Sequence, residues 1–351
     1  MNAISLFCGA GGMDVGFTKA GFHVKWASEL DKDAANTYAL NNPDTLLRCG
    51  DIINTKSELN EFFKGEIDLV FGGPPCQGFS VAGKMNPDDS RSKLVWEFLD
   101  VVRIVKPNMF VMENVKALGE LQRWHSIRER LVKFATDLGY SCFFKVLNSA
   151  DFNVPQKRER VFFIGFANAG DNVKNLFEQV INNKITPRLK LRACLQKLPA
   201  AGSGDNPITC TAKITLATSP VLRKSPYAGM LFNGLGRPVD LNNQANTLPA
   251  SMGGNKTPIL DEHLLYDPNA DDWILNYHDR LRNGGSPLQS TDVPSHIRRI
   301  TLAEAATIQT FPNDYRFVGK KSSIYKQIGN AVPSNLASAV ASAVLEVSRS
   351  I

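Results

Sequence analysis

The stretch that decides the fold is AISLFCGAGGMD, residues 3–14 of the 351-residue chain. Its apolar start predicts a β-strand over residues 3–7, and the glycine-rich turn that follows leads into a predicted helix. Glycines at a strand-to-helix turn let backbone N–H groups approach a ligand closely. The dinucleotide fingerprint G-x-G-x-x-G would require glycine at position 14, where the chain has Asp14. The turn therefore indicates a nucleotide-like ligand and disfavours the pyrophosphate of NAD.

Short apolar runs and amphipathic patterns alternate through the first 166 residues. This alternation predicts an α/β fold in which a doubly wound, Rossmann-like sheet carries helices on both faces. The predicted strands cover residues 3–7, 24–28, 46–49, 67–71, 109–112, 141–147 and 161–166, and the predicted helices cover residues 31–41, 93–105 and 122–138.

The texture of the sequence changes after about residue 167. Short pieces punctuated by Gly, Pro and Asn predict a smaller, loop-rich second domain. Helical patterning returns at residues 301–310 and 334–348, and we expect the last helix to pack back on the first domain. The predicted organisation is therefore a catalytic domain over residues 1–170, a second domain over 171–300 and a return segment over 301–351.

The composition of the chain limits the classes of function that it can have. With 43% hydrophobic and 21% charged residues, no 18-residue apolar run and no signal-peptide pattern, the chain is expected to be a cytoplasmic protein without a membrane span. Six scattered cysteines without a C-x-x-C pair predict neither a structural metal nor a disulfide framework. Residues 184–256 carry ten Lys or Arg against two acids, whereas residues 261–279 carry six acids and no Lys or Arg. A segregated basic stretch suits a polyanionic partner.

Two carboxylates follow predicted strands near the glycine turn. Glu29 comes twenty residues after Gly9, where a carboxylate accepts hydrogen bonds from ribose hydroxyls. Asp51 follows the third strand and is placed to accept from an adenine amino group. With the aromatic Phe7 and no phosphate-binding glycine, they indicate a nucleoside without phosphates, such as S-adenosyl-L-methionine (AdoMet). The alternative is that both acids are ordinary helix N-caps.

A cysteine follows the fourth predicted strand in GGPPCQGFS, residues 72–80. Ligands bind at the carboxyl ends of strands in open α/β sheets, and a thiolate is a strong nucleophile, so Cys76 is a candidate nucleophile rather than a buried packing residue. Glu113 follows the fifth strand at the same edge. Alternation in QKRER, residues 156–160, predicts that Gln156, Arg158 and Arg160 share one strand face, for which a solvated face is the alternative.

Taken together, these motifs resemble the cytosine-C5 DNA methyltransferases, in the family's order from Ser5 to about Val340. The resemblance rests on the glycine turn, on PC at 75–76, ENV at 113–115, QKRER at 156–160, RRIT at 298–301 with FPNDY at 311–315, and QIGNAVP at 327–333.

The resemblance implies a covalent mechanism. Cys76 would add to C6 of a flipped-out cytosine so that C5 attacks the methyl group of AdoMet. Glu113 would hold the ring N3 and the exocyclic amine, with Arg158 and Arg160 near the ring oxygen and the catalytic loop. The cofactor contacts implied by the resemblance are Phe7, Gly9, Ala10, Gly11, Gly12, Glu29, Leu30, Asp51, Ile52, Pro75, Leu94, Asn330 and Ala331.

The resemblance also implies the partner. The basic run 184–256 lies where the family has its target recognition domain, and Thr247-Leu248 matches a short signature found there. Double-stranded DNA would be the substrate of a monomeric enzyme, with a restriction endonuclease acting on the same site as a possible partner. An enzyme of the family that acts on transfer RNA would carry a Cys-Phe-Thr tripeptide, which the sequence lacks. A catalytically dead relative should have lost Cys76 or Glu113, and a Rossmann oxidoreductase is disfavoured by Asp14.

Overall fold

A computed structural model describes residues 1–59, 65–75 and 93–351. Its strands are β1 Asn2–Leu6, β2 His23–Glu29, β3 Leu46–Cys49, β4 Leu69–Gly72, β5 Met109–Val115, β6 Tyr140–Asn148, β7 Gln156–Lys157, β8 Glu159–Ala167, β9 Leu216–Val221, β10 Met230–Phe232, β11 Ala245–Asn246, β12 Ile259–Asp261 and β13 Ile297–Arg299. Its α-helices are α1 Gly12–Lys19, α2 Lys32–Asn41, α3 Ile52–Thr55, α4 Leu94–Val105, α5 Lys116–Glu120, α6 His125–Asp137, α7 Val173–Asn182, α8 Leu191–Leu195, α9 Glu262–Tyr266, α10 Trp273–Arg282, α11 Leu302–Ile308, α12 Lys321–Asn330 and α13 Ser334–Ser348.

The chain forms two compact units. The first unit contains residues 1–153, 158–187 and 332–351, and the second contains residues 154–157 and 188–331. These limits differ from the predicted boundaries at 170 and 300. Helix α7 stays in the first unit because Phe177 and Ile181 are buried in its core, and α11 stays in the second because Ala305 and Ile308 are buried there.

The first unit is built on a seven-stranded sheet in the order β3-β2-β1-β4-β5-β8-β6. The five strands from β3 to β5 are parallel, and β8 runs antiparallel to both of its neighbours. Alternate residues of β4 enter different cores: Leu69 and Phe71 join the cluster packed on α13, whereas Val70 joins the cluster packed on α4. The predicted α/β fold with helices on both faces is confirmed.

Helix α13 returns to the first unit and packs on α1, as the sequence predicts. Contact is close at Gly16, where an added Cβ would lie 2.5 Å from the carbonyl oxygen of Ser334 and 2.6 Å from the Cβ of Ala337. Residues 321–348 contain an apolar helical stretch long enough by composition to cross a membrane, but most of its apolar window is buried inside the protein. Burial of that kind is typical of a core helix.

Residues 156–160 do not form one continuous strand, so the prediction that Gln156, Arg158 and Arg160 share a strand face does not hold. Strand β7 pairs with β11 in the second unit, whereas β8 begins at Glu159 and pairs with β5 in the first. Between them, Arg158 exchanges hydrogen bonds with Ser149: its N–H donates to the Ser149 hydroxyl at 3.1 Å, and its carbonyl accepts from the Ser149 N–H at 3.0 Å. Gln156 therefore does not share a strand face with Arg158 and Arg160.

The described part of the second unit consists of two-stranded sheets joined by loops and short helices. Strand β9 pairs with β10 and β12 pairs with β13, both antiparallel. Helix α11 begins at a capping box in which Thr301 and Glu304 each accept a backbone N–H of the other. This loop-rich texture agrees with the prediction from the Gly, Pro and Asn content.

Candidate active site

The glycine turn after β1 is open to ligand. Phe7, Gly9 and Gly11 have φ angles of 54°, 56° and 85°, in the left-handed region that glycine adopts most readily. The Gly11 N–H donates to the carbonyl oxygen of Cys8 at 2.9 Å and closes the turn. A Cβ added to Gly9 would meet no described atom within 4 Å. The turn therefore leaves room in front of its backbone, as a bound nucleoside would require.

The Glu29 side chain accepts a hydrogen bond from this turn. Its Oε2 accepts the Gly9 N–H at 2.8 Å and its Oε1 accepts the Asp31 N–H at 2.7 Å. Burial raises the pKa of the Glu29 carboxyl, although the backbone N–H donors oppose the shift. Each carboxylate oxygen has a further lone pair, so the group retains acceptor capacity for two hydroxyls. The alternative that Glu29 is a helix N-cap is wrong, because Asp31 caps α2.

Asp51 lies at the end of the next strand. The Gly50 N–H donates to the carbonyl oxygen of Glu29 at 2.9 Å, which ties the two strand ends together. Asp51 is also the N-cap of α3 and accepts the Ile53 N–H at 3.0 Å, so for this residue the N-cap interpretation is correct. Capping leaves its second oxygen available to a ligand.

The other predicted cofactor contacts have varied surroundings. Phe7 and Leu94 are partly buried and pack against the same core cluster. Ile52 is buried, whereas Leu30 is 68% exposed. Asn330 and Ala331 lie in the second unit, and their cofactor contact stays a prediction.

A buried acid behind the glycine turn was not predicted. Asp14 on α1 is fully buried and accepts the Tyr38 hydroxyl at 2.9 Å. Burial raises the pKa of Asp14 to about 6, although the hydroxyl of Tyr38 opposes the shift. The available signal was a charged residue between Met13 and Phe17, which are also buried. The sequence alone gives Asp14 one meaning, the exclusion of a dinucleotide.

Glu113 and Arg160 form an ion pair at the carboxyl edge of the sheet. The Nε of Arg160 lies 2.8 Å from Oε1 of Glu113. Glu113 is 9% exposed, and burial raises the pKa of its carboxyl, although the charges of Arg160 and Arg158 oppose the shift. Arg158 is 3% exposed. The structure thus pairs Glu113 with Arg160, while the predicted position of Arg158 and Arg160 near the ring oxygen stays a prediction.

The backbone before Cys76 packs against this pair. Nδ2 of Asn114 donates to the carbonyl oxygen of Pro74 at 3.2 Å. A Cβ added to Gly73 would lie 2.8 Å from Oε2 of Glu113. The roles of Asn114 and Gly73 were not predicted, although they lie in the motifs at residues 113–115 and 72–80. Cys76 itself lies outside the described residues, and Pro75 is the last described residue before it.

Within residues 1–59, 65–75 and 93–351, no group of three or more His, Cys, Asp or Glu side chains is placed to hold a metal ion. The site instead offers an open turn with two carboxylates and a separate, buried carboxyl held by guanidinium groups. The first suits a nucleoside, and the second suits a polar ring edge that presents both a donor and an acceptor.

A mostly parallel sheet of seven strands with an antiparallel pair at one edge, and a nucleoside-type turn after its first strand, is the architecture of the α/β methyltransferases. Comparison with known proteins makes the family definite. The family model for C-5 cytosine-specific DNA methylase matches residues 1–346, and the chain belongs to this family. It is a DNA cytosine methyltransferase whose cofactor is S-adenosyl-L-methionine, and the alternative of a Rossmann oxidoreductase is wrong.

Similar proteins agree with this assignment. The chain is 33% identical to the type II methyltransferase M1.HphI of Haemophilus parahaemolyticus, over 98% of this chain and 86% of the relative. It is 31% identical to M.NgoPII of Neisseria gonorrhoeae, over 98% and 95%. Its fold matches a prophage-encoded DNA modification methyltransferase of E. coli at a TM-score of 0.67 and 24% identity, covering 99% of each chain. The Dnmt2 methyltransferase of S. pombe also has a TM-score of 0.67, at 20% identity over 99% and 98%.

Proposed function

We propose that the protein methylates C5 of one cytosine within a specific sequence of double-stranded DNA, through a covalent bond between Cys76 and C6 of the flipped-out base. The observation that carries the proposal is the Glu113–Arg160 ion pair packed against Gly73, three residues before the cysteine. The names of the similar type II methyltransferases support a place in a restriction–modification system. We further propose a cytoplasmic monomer, with an endonuclease partner that cuts the same sequence.

Base flipping is required by the geometry of the duplex. C5 and C6 of a stacked cytosine are out of reach of a rigid active site, so the base must leave the helix at a cost of a few kcal/mol. Phosphate contacts offset this cost. The second unit carries most of the basic run 184–256 and is the proposed DNA-binding unit.

Glu113 recognises the cytosine edge in this proposal. The ring N3 is an acceptor and the exocyclic amine is a donor, so a neutral carboxyl complements both. Burial raises the pKa of Glu113 and favours that neutral form, against the charges of Arg160 and Arg158, which favour the carboxylate. A hydrogen bond to N3 stabilises the negative charge that develops on the ring when the thiolate adds at C6.

Cys76 supplies the electron pair. Only a few per cent of an unperturbed thiol is ionised at pH 7, so in this proposal the thiol first loses its proton to water and the thiolate then forms the S–C6 bond. The bond makes C5 nucleophilic as an enamine carbon. After C5 has gained the methyl group, loss of the C5 proton to water breaks the S–C6 bond and returns the thiolate.

The arginines and the glycine turn orient the two partners. Arg160 fixes the Glu113 carboxyl, and the proposed role of Arg158 and Arg160 is to contact the ring oxygen. The residues proposed to hold the cofactor are Phe7, Glu29, Asp51, Leu94 and the backbone of residues 9–12. S-adenosyl-L-methionine, when bound, supplies the electrophilic methyl group that C5 takes up.

The test has two stages. Plasmid DNA incubated with the protein and AdoMet is sequenced after bisulfite treatment, and we expect one cytosine of a recurring short sequence to be protected. A duplex with 5-fluorocytosine at that position should then yield an adduct that survives a denaturing gel, because fluorine at C5 cannot leave as a proton.

The Cys76→Ala variant is the control for this trap. We expect it to bind AdoMet like the wild type and to form no adduct. A wild-type protein that methylates the duplex without ever trapping on 5-fluorocytosine would refute the covalent step. Transfer of the AdoMet methyl group to transfer RNA rather than to DNA would refute the proposed substrate.

A further inference from the structure

Arg299 is a buried guanidinium in the second unit that is held by backbone carbonyl groups. It is 2% exposed. Nε donates to Ala212 O at 3.0 Å, Nη2 to Lys213 O at 3.3 Å, and Nη1 to Thr257 O at 2.7 Å and Asn255 O at 3.4 Å. Burial lowers its pKa. One side chain thereby joins residues 212–213 to residues 255–257, which are separated by more than forty positions of sequence.

The neighbouring arginine behaves differently. Arg298 forms ion pairs with Glu262 at 2.8 Å and with Glu304 at 2.7 Å, so its buried charge is neutralised locally. Arg299 forms no ion pair with a carboxylate of the described ranges. Burying a charge is unfavourable unless it is paired and hydrogen-bonded, and here hydrogen bonds alone compensate. The burial of the Arg299 guanidinium is explained if the role of this side chain is to link the loops.

A third stretch of the chain, at Gly236, packs against the same guanidinium. Its N–H donates to the carbonyl oxygen of Asn255 at 2.9 Å. A Cβ at this position would lie 2.3 Å from Thr257 O and 2.6 Å from Nη1 of Arg299. The backbone of residue 236 therefore approaches the guanidinium more closely than any other residue type would allow.

Each of the three stretches carries an exposed cation beside its anchored backbone. Lys213 contributes one of the accepting carbonyl oxygens, Arg237 follows Gly236, and Lys256 lies between Asn255 and Thr257. The three side chains form no ion pairs with carboxylates in the described part of the chain. Exposed cations without counter-charges, on loops fixed from within, are suited to a polyanion.

We propose that Arg299 is a positioning residue for DNA, which holds Lys213, Arg237 and Lys256 as one basic surface for backbone phosphates. We call these three side chains the basic triad. The inference rests on the proposed DNA substrate, and extends it by naming the phosphate-binding side chains and the residue that orders them.

The salt dependence of binding tests the triad directly. Each phosphate neutralised contributes about 0.9 to the slope of log K against log salt concentration. We expect Lys213→Gln, Arg237→Gln and Lys256→Gln each to lower the slope for plasmid DNA by about 1. Lys174→Gln is the matched control, since Lys174 is exposed on α7 of the first unit, and it should leave the slope unchanged.

Arg299→Lys tests the positioning role. Lysine keeps the charge but loses the planar fork that reaches several carbonyls. In protein with a wild-type circular dichroism spectrum, we expect the KM for DNA to rise by about tenfold or more, while kcat and the Kd for AdoMet stay within about twofold. We also expect Lys213→Gln to have a smaller effect on the slope in the Arg299→Lys background than in the wild type.

The outcomes separate the two proposals. A wild-type protein that methylates DNA, together with unchanged slopes in all three triad variants, would overturn the inference and leave the proposed function intact. A folded Arg299→Lys protein with wild-type KM and additive triad effects would overturn the positioning role. If Arg299→Lys does not fold, the slopes of the triad variants decide. A wild-type protein that methylates no DNA would overturn the proposed function itself.

Discussion

Arg160 lies diagonally opposite Glu113 on adjacent antiparallel strands, with Nε of Arg160 2.8 Å from Oε1 of Glu113. Backbone register pairs Glu113 with Phe162 and Val115 with Arg160, so the contact is fixed by the sheet rather than by a loop. A carboxyl group oriented in this way does not have to be ordered when substrate arrives. Such preorganisation is the main source of electrostatic catalysis.

Replacement of Glu113 by Gln should separate binding from catalysis. The amide still donates to N3 and accepts from the exocyclic amine, but it has no acidic proton to share with the ring. We expect kcat to fall by about 100- to 1,000-fold, with the Kd for AdoMet unchanged. Steady-state kinetics and calorimetry measure the two quantities. Glu159→Gln, on the same edge and paired with Lys116, is the control that should retain activity.

A methyl group at Gly73 should disturb the same carboxyl. The added Cβ would lie 2.8 Å from Oε2 of Glu113, so that side chain must move. We expect Gly73→Ala to lower kcat by about 10- to 100-fold, because small misplacements of catalytic groups are costly. Gly170→Ala is the control, since its Cβ would meet no described atom within 4 Å. Wild-type kcat in Gly73→Ala would show that Glu113 does not need its present position.

Replacement of Asp51 by Ser should separate its two roles, capping of α3 and binding of AdoMet. Serine caps a helix about as well as Asp, but it is too short to reach a ligand that the carboxylate contacts. We expect Asp51→Ser to weaken AdoMet binding by about tenfold, with a melting temperature close to that of the wild type. Asp51→Ala should weaken binding similarly and also lower stability by about 1 kcal/mol. Unchanged AdoMet affinity in both variants would reduce Asp51 to a helix cap.

The buried Asp14 predicts a pH dependence of stability. Its pKa is raised from 3.8 to about 6 in the folded protein. The folded state therefore holds the proton more tightly, and this contribution to stability is complete below pH 3.8 and is lost as the pH rises through about 6. The loss amounts to about 3 kcal/mol, at 1.36 kcal/mol for each pKa unit.

Asp14→Asn removes this titration. We expect urea unfolding to show the wild type losing stability relative to the variant between pH 4 and pH 7. Tyr38→Phe, which removes the hydroxyl donor to the carboxylate, should make the loss larger. A wild type that gains stability over the variant in this range would contradict the assignment.

The sequence predicted most of what depends on local pattern. Strand β3 and helix α13 begin and end at the predicted residues. The strand is bounded by turn signals, and the helix has a long apolar period. The glycine turn, Glu29, Asp51 and Glu113 were also singled out because they lie close to strand ends, whereas the pairing of Glu113 with Arg160 was not predicted. Parallel strands bring such residues to one edge wherever the fold is correct.

The features that the sequence did not predict have two causes, loop-like flanking residues and contacts between distant segments. Helices α7 and α12 were not predicted, because their flanking Gly, Asn and Lys residues resemble loops. The break at Arg158 results from hydrogen bonds to Ser149, and strand alternation alone cannot reveal them. Arg299 looks like an ordinary strand residue until residues 212–213, 236 and 255–257 are brought around it.

The close packing of α1 on α13 has a consequence for biosynthesis. The ribosome releases the glycine turn early, but Ala337, Val340 and Val344, which cover Met13 and Phe17, are translated only after the whole second unit. A nascent chain therefore keeps the inner face of α1 uncovered until residues 334–348 have been translated. Polypeptides that end before residue 334 should therefore expose this apolar face and be removed by chaperones and proteases.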